Sequence, residues 1–357
     1  SHYLGNGHVV RCVALAEAFK AAGYSCQFAC RALRGNAIQW LREQGFNVIV
    51  LPAPALPRTL LKDDFRTWAE SDPEWDAQDS WLKLKGQSFA WLVIDHYAWA
   101  AQQQQQLAAV AARILIVDDL CNRPVYGDVI VDSGARSDSD YQPWNVNAAK
   151  LLLGHRYLPL RASFQHLRAN QFKPVAAPTH GLISCGATDH ANHSLTLLAF
   201  FADQNLQFPL QLTCVLARNA PHLESVMAWC DTHDRVQCVI DPADMAALID
   251  RSSFAIGTAG SGIWERCALG KPSAVFMAGA DQKNNYDVLV SAGAGVSIGQ
   301  DHNPFAIDFD KLRQVLHSWC DTRNPDQYRA HARSAWQLCD GGGAQRVIEA
   351  LNVLRAA

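Results

Sequence analysis

One pattern constrains this chain more than any other: short apolar runs that end in small or acidic residues and are followed by segments of helical periodicity. Its sharpest instance is FAIGTAGSGIWERCALGKP at 254–272. The apolar run 254–256 stops at a turn holding Gly257, Gly260 and Gly262, and a helix-like pattern then continues to Gly270, where Lys271 and Pro272 break it. A strand, a tight turn and a helix follow from that order. Glycines let a backbone come close to a ligand, and the unpaired N–H groups that open a helix attract anions such as phosphates. Glu265 lies on the first turns of that helix, within reach of whatever the turn holds. The spacing matches neither G-x-G-x-x-G nor the P-loop, and a tight strand-to-helix turn needs small residues in any case.

The same alternation recurs on both sides of a segment expected to be a linker, 161–178. Ahead of it, strands are expected at 26–30, 47–51, 90–94, 113–117, 129–131 and 150–153, with helices at 9–22, 36–44 and through the glutamines 102–106. A proline-punctuated stretch at 52–85, with Trp68, Trp75 and Trp81 among charges, reads as an irregular insertion with one or two helices whose aromatics pack locally. Behind the linker, strands are expected at 181–184, 211–216, 236–240, 254–256, 274–277 and 295–298, separated by helices at 192–202, 222–230, 245–250 and 283–291. The tail reads as two helices divided by the glycines 341–343, the second packing back on the first domain.

Two such series imply an α/β chain of two Rossmann-like, doubly wound domains facing across a cleft, over 1–165 and 179–335, with a final helix at 336–357. A length of 357 residues agrees, being too great for one ordinary core. The N-terminal octapeptide SHYLGNGH already looks like a loop entering a helix. A doubly wound domain carries a strand before such a loop, so the first strand is expected to be absent from this sequence.

Bulk properties exclude several classes. At 49% hydrophobic and 18% charged the composition is that of a soluble globular protein, and a net charge of -3 gives no basic field for nucleic acid or an anionic membrane. The eleven cysteines stand singly, without C-x-x-C spacing, which fits buried thiols in a reducing cytosol rather than zinc ligands or disulfides. No apolar run is long enough to span a bilayer, and a cytoplasmic location is expected.

Ligands of open α/β sheets bind beyond the carboxyl ends of the strands. The residues placed there are Gly7 and His8, Asp95, His96 and Tyr97, Asp118 and Asp119, residues 184–189, Ile240, and the turn Gly260, Ser261 and Gly262. His8 at a helix start is disfavoured as an imidazolium and suits a general base, although a capping or packing histidine fits the same spacing. Arg11, one turn later, faces the same ligand or forms a surface ion pair. Asp95 and His96 either mark a site or anchor a loop. Asp118 and Asp119 are read as a structural turn, two adjacent aspartates being weak evidence of a metal.

With those residues in place, the motifs GNGHVVRC (5–12), DHY (95–97), VDDL (117–120), LLGHRY (152–157), SCGATD (184–189) and GSGIWERCALGKP (260–272) resemble the ordered motifs of the UDP-2,4-diacetamido-2,4,6-trideoxy-beta-L-altropyranose hydrolase family of pseudaminic acid biosynthesis. The resemblance implies a GT-B fold, relates the chain to the glycosyltransferase that adds N-acetylglucosamine to lipid I, and implies that His8 activates water to attack the anomeric carbon with inversion. It places Ser184, Gly186, Gly260, Ser261 and Gly262 on the diphosphate, Glu265 on the ribose and the backbone at Ile240 on the uracil. Gly7, Arg11, Asp95, His96, Tyr97, Asp281, Gln282 and Asn285 fall to the sugar side. The chain departs from the family pattern at Asp281, where asparagine is usual, at Ala187, where a second glycine is usual, and at Ser133 to Ala135 after Asp132. No cofactor and no metal are implied, the partner is a UDP-sugar, and a monomer is expected. Two alternatives stay open: a UDP-sugar glycosyltransferase, which needs an acceptor, and a noncatalytic nucleotide-binding module.

Overall fold

The computed structural model describes residues 7–56, 58–59, 61, 64, 67, 69–203 and 210–356. Gly5, Trp68 and any strand ahead of residue 7 lie outside them. The chain divides into two units, residues 1–161 with 342–357, and residues 162–341.

In the first unit the elements run α1 (Gly7–Ala21), β1 (Gln27–Arg31), α2 (Ile38–Glu43), β2 (Asn47–Leu51), α3 (Pro73–Leu84), β3 (Leu92–Ile94), α4 (Ala101–Gln106), β4 (Ile114–Val117), β5 (Val129–Asp132), α5 (Asp138–Tyr141) and β6 (Lys150–Leu153). All pairings are parallel, as short strands returned by helices must be. They form two sheets, β1-β2 and β3-β4-β5-β6. β4 and β5 are buried at every residue, the state of inner parallel strands covered on both faces, and this explains why ILIV and VIVD read as unbroken apolar runs. Among the described residues no strand joins the two sheets; α1 does so through its side chains. Leu15 and Phe19 share a core with Leu115, Val117, Val129 and Val131, while Val13 and Ala16 share another with Leu41 and Phe46.

The second unit runs α6 (Ala162–Leu167), β7 (His180–Ser184), α7 (His193–Asp203), β8 (Gln211–Leu216), α8 (Leu223–Cys230), β9 (Val236–Ile240), α9 (Met245–Arg251), β10 (Phe254–Thr258), α10 (Gly262–Ala268), β11 (Ser273–Phe276), α11 (Lys283–Ser291), β12 (Gly295–Ser297), β13 (Gly299–Gln300), β14 (Asn303–Ile307), α12 (Phe309–Cys320) and α13 (Asp326–Leu338). Its six-stranded parallel sheet has the order β12-β11-β10-β7-β8-β9. Counted from β7 as the first strand, that is the 3-2-1-4-5-6 order of the Rossmann fold, whose switch point lies between the first and fourth strands. The switch point here is the junction of β7 and β10, that is, of Ser184 and the turn after Thr258.

Helix α14 (Gly343–Ala356) returns to the first unit, where Ala344, Val347, Ile348 and Leu351 join the core of Leu15 and Phe19. Its first residue must be glycine, because a Cβ at Gly343 would stand 2.0 Å from the Leu158 carbonyl oxygen.

Three expectations change. The segment 161–178 is not a plain linker: it contains α6, whose Phe164 is 1% exposed, and Arg168 donates to the carbonyls of Ala268, Trp336 and Cys339. The β13-β14 hairpin and α12, with Leu312, Val315, Leu316 and Trp319 on its buried face, lie in a stretch the sequence reading left unassigned. Gly257 serves packing rather than a ligand. Its Cβ would fall 1.9 Å from the Ser184 carbonyl oxygen, so the close pairing of β10 with β7 requires a residue without one. All eleven cysteines are free thiols, and no described helix is long and apolar enough to cross a membrane.

Gly257→Ala is expected to lower the free energy of unfolding by about 3 kcal/mol, because the strands must part to admit the methyl group. Urea denaturation measures it, and an unchanged midpoint would show that β7 and β10 separate freely.

Candidate active site

In the first unit the first turn of α1 meets the carboxyl ends of β3 and β4. His8 and Arg11 are three residues apart on α1 and therefore share a face. Asp95 follows the last residue of β3, and Asp119 comes two residues after β4. His8 Nδ1 lies 2.5 Å from Asp95 Oδ1, and Arg11 grips the same carboxylate with Nε at 2.6 Å from Oδ2 and Nη2 at 2.7 Å from Oδ1. Arg11 Nη1 donates to both oxygens of Asp119 at 2.7 Å, and Tyr97 Oη donates to Asp119 Oδ2 at 2.7 Å. The Tyr97 and His8 rings meet edge to face, 4.4 Å between centroids. Cys12 Sγ donates to Asp95 Oδ2 at 3.4 Å.

The Asp95 side chain is 4% exposed. Burial by itself would raise its carboxyl, but the Arg11 charge, His8 and their hydrogen bonds hold it well below the usual carboxylate range. An ionised carboxylate only accepts, so the hydrogen of a neutral His8 ring sits on Nδ1 and Nε2 is left as its acceptor. Burial pushes the Tyr97 hydroxyl up, and the Asp119 charge pushes it further, so Tyr97 remains a hydroxyl donor. The arrangement is a histidine of fixed tautomer, oriented by a carboxylate that a guanidinium keeps ionised.

His96 does not join this group. The chain turns its imidazole toward the insertion, where Nε2 lies 3.0 Å from Asp76 Oδ2 and the ring stacks on Trp99 at 4.6 Å. Asp76 also receives Trp99 Nε1 and pairs with Arg31, which in turn sits over the Trp75 ring. Arg11 is no surface ion pair, since it is held between two carboxylates with only 16% of its side chain exposed. The reading of Asp118 and Asp119 as a structural turn holds for Asp118, which accepts from the amides of Leu120 and Cys121, and not for Asp119. Asp119 belongs to the Arg11 group, whereas Asp118 is fully buried with Arg123 Nη1 at 2.8 Å. Asp119, which the sequence reading took for a turn, and Cys12, which it passed over, both lie inside motifs it had singled out.

Beneath Asp118, Tyr141 Oη stands 2.9 Å from Asp118 Oδ2 and 2.8 Å from Asp132 Oδ2. One hydroxyl donates one hydrogen, so the second contact requires a proton on a carboxyl group. Burial, with smaller contributions from Asp119 and Asp118, pushes the Asp132 carboxyl up to about 6 against the hydrogen bonds from the Gly134 amide and Tyr141. Arg136 reaches Asp132 only at 3.8 Å from an exposed position.

In the second unit the structure gathers part of the expected set around the switch point. Ser184 lies against Gly257, and the neighbouring Gly186 takes a φ of 94°, which suits glycine. Gly260 faces only the Gln282 amide nitrogen, 3.7 Å from where its Cβ would be, and Gly262 faces nothing within 4 Å. Neither has a positive φ. Protein packing therefore does not require glycine at 260 or 262, and both leave bare backbone beside the exposed Ser261. Gln282 accepts from the Ala278 amide in its own loop, and Asn285 accepts from Trp264 Nε1 on α10. Glu265 is half-buried on α10, and Asp281 is exposed. Ile240 ends β9, three strand spacings or about 14 Å from β10.

No family model matches the chain. Among curated proteins it is similar to the UDP-2,4-diacetamido-2,4,6-trideoxy-beta-L-altropyranose hydrolase of Campylobacter jejuni subsp. jejuni serotype O:2, at 22% identity over 272 residues, covering 75% of this chain and 85% of that one. Among solved structures it is similar to MurG of Acinetobacter baumannii, with a TM-score of 0.58 at 16% identity over 97% of this chain and 96% of that one. It is also similar to S. aureus MnaA in its structure with UDP, with a TM-score of 0.59 at 12% identity over 99% and 95%. The fold is thus GT-B, built of two Rossmann-like domains.

The Asp132 proton has a consequence for stability. A folded-state value of about 6, above that of an unfolded aspartate, means that the folded chain binds the proton more tightly. Stability from this group is present at pH 4 and lost as pH rises through 6, a decline of about 3 kcal/mol. Asp95 and Asp76, both lowered, act in the opposite sense and at lower pH. Urea denaturation from pH 4 to 7 is expected to show the decline in the wild type and not in Asp132→Asn; parallel curves would place the proton elsewhere.

Proposed function

We propose that this chain is a nucleotide-sugar hydrolase. It releases UDP from a UDP-linked 2,4-diacetamido-2,4,6-trideoxy hexose by attack of water on the anomeric carbon with inversion, a step of pseudaminic acid biosynthesis. The observation that carries the reading is the pairing of His8 with the buried, ionised Asp95. That pairing gives a ring whose Nε2 is the proton acceptor, as a general base requires. The similarity to a hydrolase of that substrate name supports the choice of reaction and sugar, and the UDP-bound MnaA structure supports the nucleotide.

In this mechanism His8 Nε2 takes a proton from water as the oxygen bonds to the anomeric carbon, while the bond to the UDP oxygen breaks. Asp95 keeps the Nδ1 hydrogen in place and offsets the charge that appears on the ring. UDP is a good leaving group whose charge amide donors stabilise, so one base and an anion cradle are enough. The second unit supplies that cradle. Ser184, Gly186, Gly260, Ser261 and Gly262 hold the diphosphate at the switch point, Glu265 reads the ribose and the backbone at Ile240 meets the uracil. Gly7, Arg11, Tyr97, Asp281, Gln282 and Asn285 are assigned to the sugar. His96 acts on it indirectly, since its ring is engaged by Asp76 and Trp99.

The likeness to MurG favours a second reading, in which the same base deprotonates an alcohol acceptor. The two readings differ in product: hydrolysis yields free sugar in water alone, whereas transfer yields none without an acceptor.

His8→Gln is expected to slow UDP release by about 10²–10⁴ while UDP affinity stays within about twofold, since the base acts on water and not on the nucleotide. Release followed enzymatically, together with NMR of the first sugar anomer formed, makes the test. A variant retaining more than a tenth of the rate, or a first product of retained configuration, would refute the assignment of His8.

A further inference from the structure

Arg266 is the most deeply buried guanidinium outside the networks already described. It is 2% exposed, and among the described residues no carboxylate lies within ion-pair distance of it. Its side chain runs back along α10, so that Nε donates to the Gly262 carbonyl at 3.2 Å and Nη2 to the Thr258 carbonyl at 2.9 Å. Nη1 is buried with no hydrogen-bond partner. The two carbonyls it reaches are the ends of the 258–262 turn, the turn that exposes bare backbone at Gly260 and Gly262. Burial lowers this guanidinium from its ordinary value, with only weak offsetting from Cys267 and Glu265.

A buried cation without a counter-charge is among the more expensive things a fold can hold, and a neutral side chain of similar length would stabilise the free protein better. Arg168, in the same unit, shows the ordinary solution. Its guanidinium is shared among the Ala268, Trp336 and Cys339 carbonyls at helix ends, where the backbone dipole favours a cation. Arg266 belongs to the last turn of α10, but its guanidinium reaches back to the Gly262 carbonyl at the other end of the helix, where that dipole gives no such help.

We propose that Arg266 is a positioning residue for anion binding: it straps the two ends of the 258–262 turn from inside and supplies, behind that turn, the positive charge that a diphosphate completes. The proposal rests on the nucleotide reading given above. It makes the free protein carry an uncompensated charge that is relieved on binding, so that affinity is gained at the expense of stability in the unliganded state. A diphosphate feels this charge and a nucleoside does not.

The test uses full-length protein, calorimetry and thermal melts with UDP, uridine and inorganic pyrophosphate as probes. Arg266→Met is expected to raise the UDP and pyrophosphate Kd at least about tenfold, leave the uridine Kd within about twofold, and leave the ligand-free melting temperature unchanged or higher. Arg266→Lys restores the charge without the fork and is expected to recover part of the pyrophosphate affinity. Loss of melting temperature with equal weakening of all three probes would make Arg266 a purely structural strut and overturn the proposal, as would UDP and pyrophosphate affinities unchanged in Arg266→Met. Pyrophosphate separates this failure from that of the nucleotide reading. If wild-type protein binds pyrophosphate in an Arg266-dependent way but shows no preference for UDP over it, the anion role stands and the uridine assignment falls.

Discussion

The buried carboxylate of Asp95 accepts hydrogens from His8, from two nitrogens of Arg11 and from Cys12. Left alone, burial would make it a neutral acid that could donate to His8 and leave the ring in the wrong tautomer. Arg11 prevents this, and its Nη1 still needs an acceptor, which Asp95 does not reach. Asp119 supplies it, and Asp119 is oriented by Tyr97, whose ring closes against His8. Each group is tolerable in a buried place only because the next is present. The cluster also ties the first turn of α1 to the ends of β3 and β4, which matters in a unit whose two sheets share no described strand.

Topology explains why chemistry collects at these places. In the second unit β7 and β10 are the neighbours from which the chain departs in opposite directions, so the loops at their carboxyl ends part and leave a crevice. Ser184, Gly186 and the 258–262 turn stand there because the strand order puts them there. In the first unit the sheets β1-β2 and β3-β4-β5-β6 are separate among the described residues, and the first turn of α1 starts beside the end of β3.

Much of this was legible in the residues. The runs 47–51, 150–153, 211–216, 236–240 and 283–291 form β2, β6, β8, β9 and α11 with those limits, because local periodicity and turn residues agree in each. The short α6 between prolines was not legible, nor was the β13-β14 hairpin, whose strands hold too few residues to show a period. Within the site, residue types and strand ends were visible but partners were not. Arg11 meets Asp95 and Asp119 across 84 and 108 residues of chain, and nothing local to either distinguishes that pairing from a surface one. His96 was grouped with its neighbours Asp95 and Tyr97, yet consecutive residues leaving a strand point to different sides, and it went to Asp76. Gly257 shows the same limit, for a glycine required by an adjacent strand and a glycine left bare for a ligand look alike in sequence.

The two units treat buried cations differently, and the difference bears on what each can bind. In the first unit Arg11 is matched by Asp95 and Asp119, Arg31 by Asp76 and Asp79, and Arg123 by Asp118. There the carboxylates outnumber the guanidiniums, and each of these cations has a counter-charge within the unit. In the second unit Lys271 has Asp250 at 3.6 Å, but Arg266 is met by carbonyl dipoles alone, behind a turn of bare amides. That side is short of negative charge until an anion arrives. The proposed diphosphate supplies that charge, so Arg266 bears on the same substrate class as the His8–Asp95 pair while playing no part in that pair's geometry.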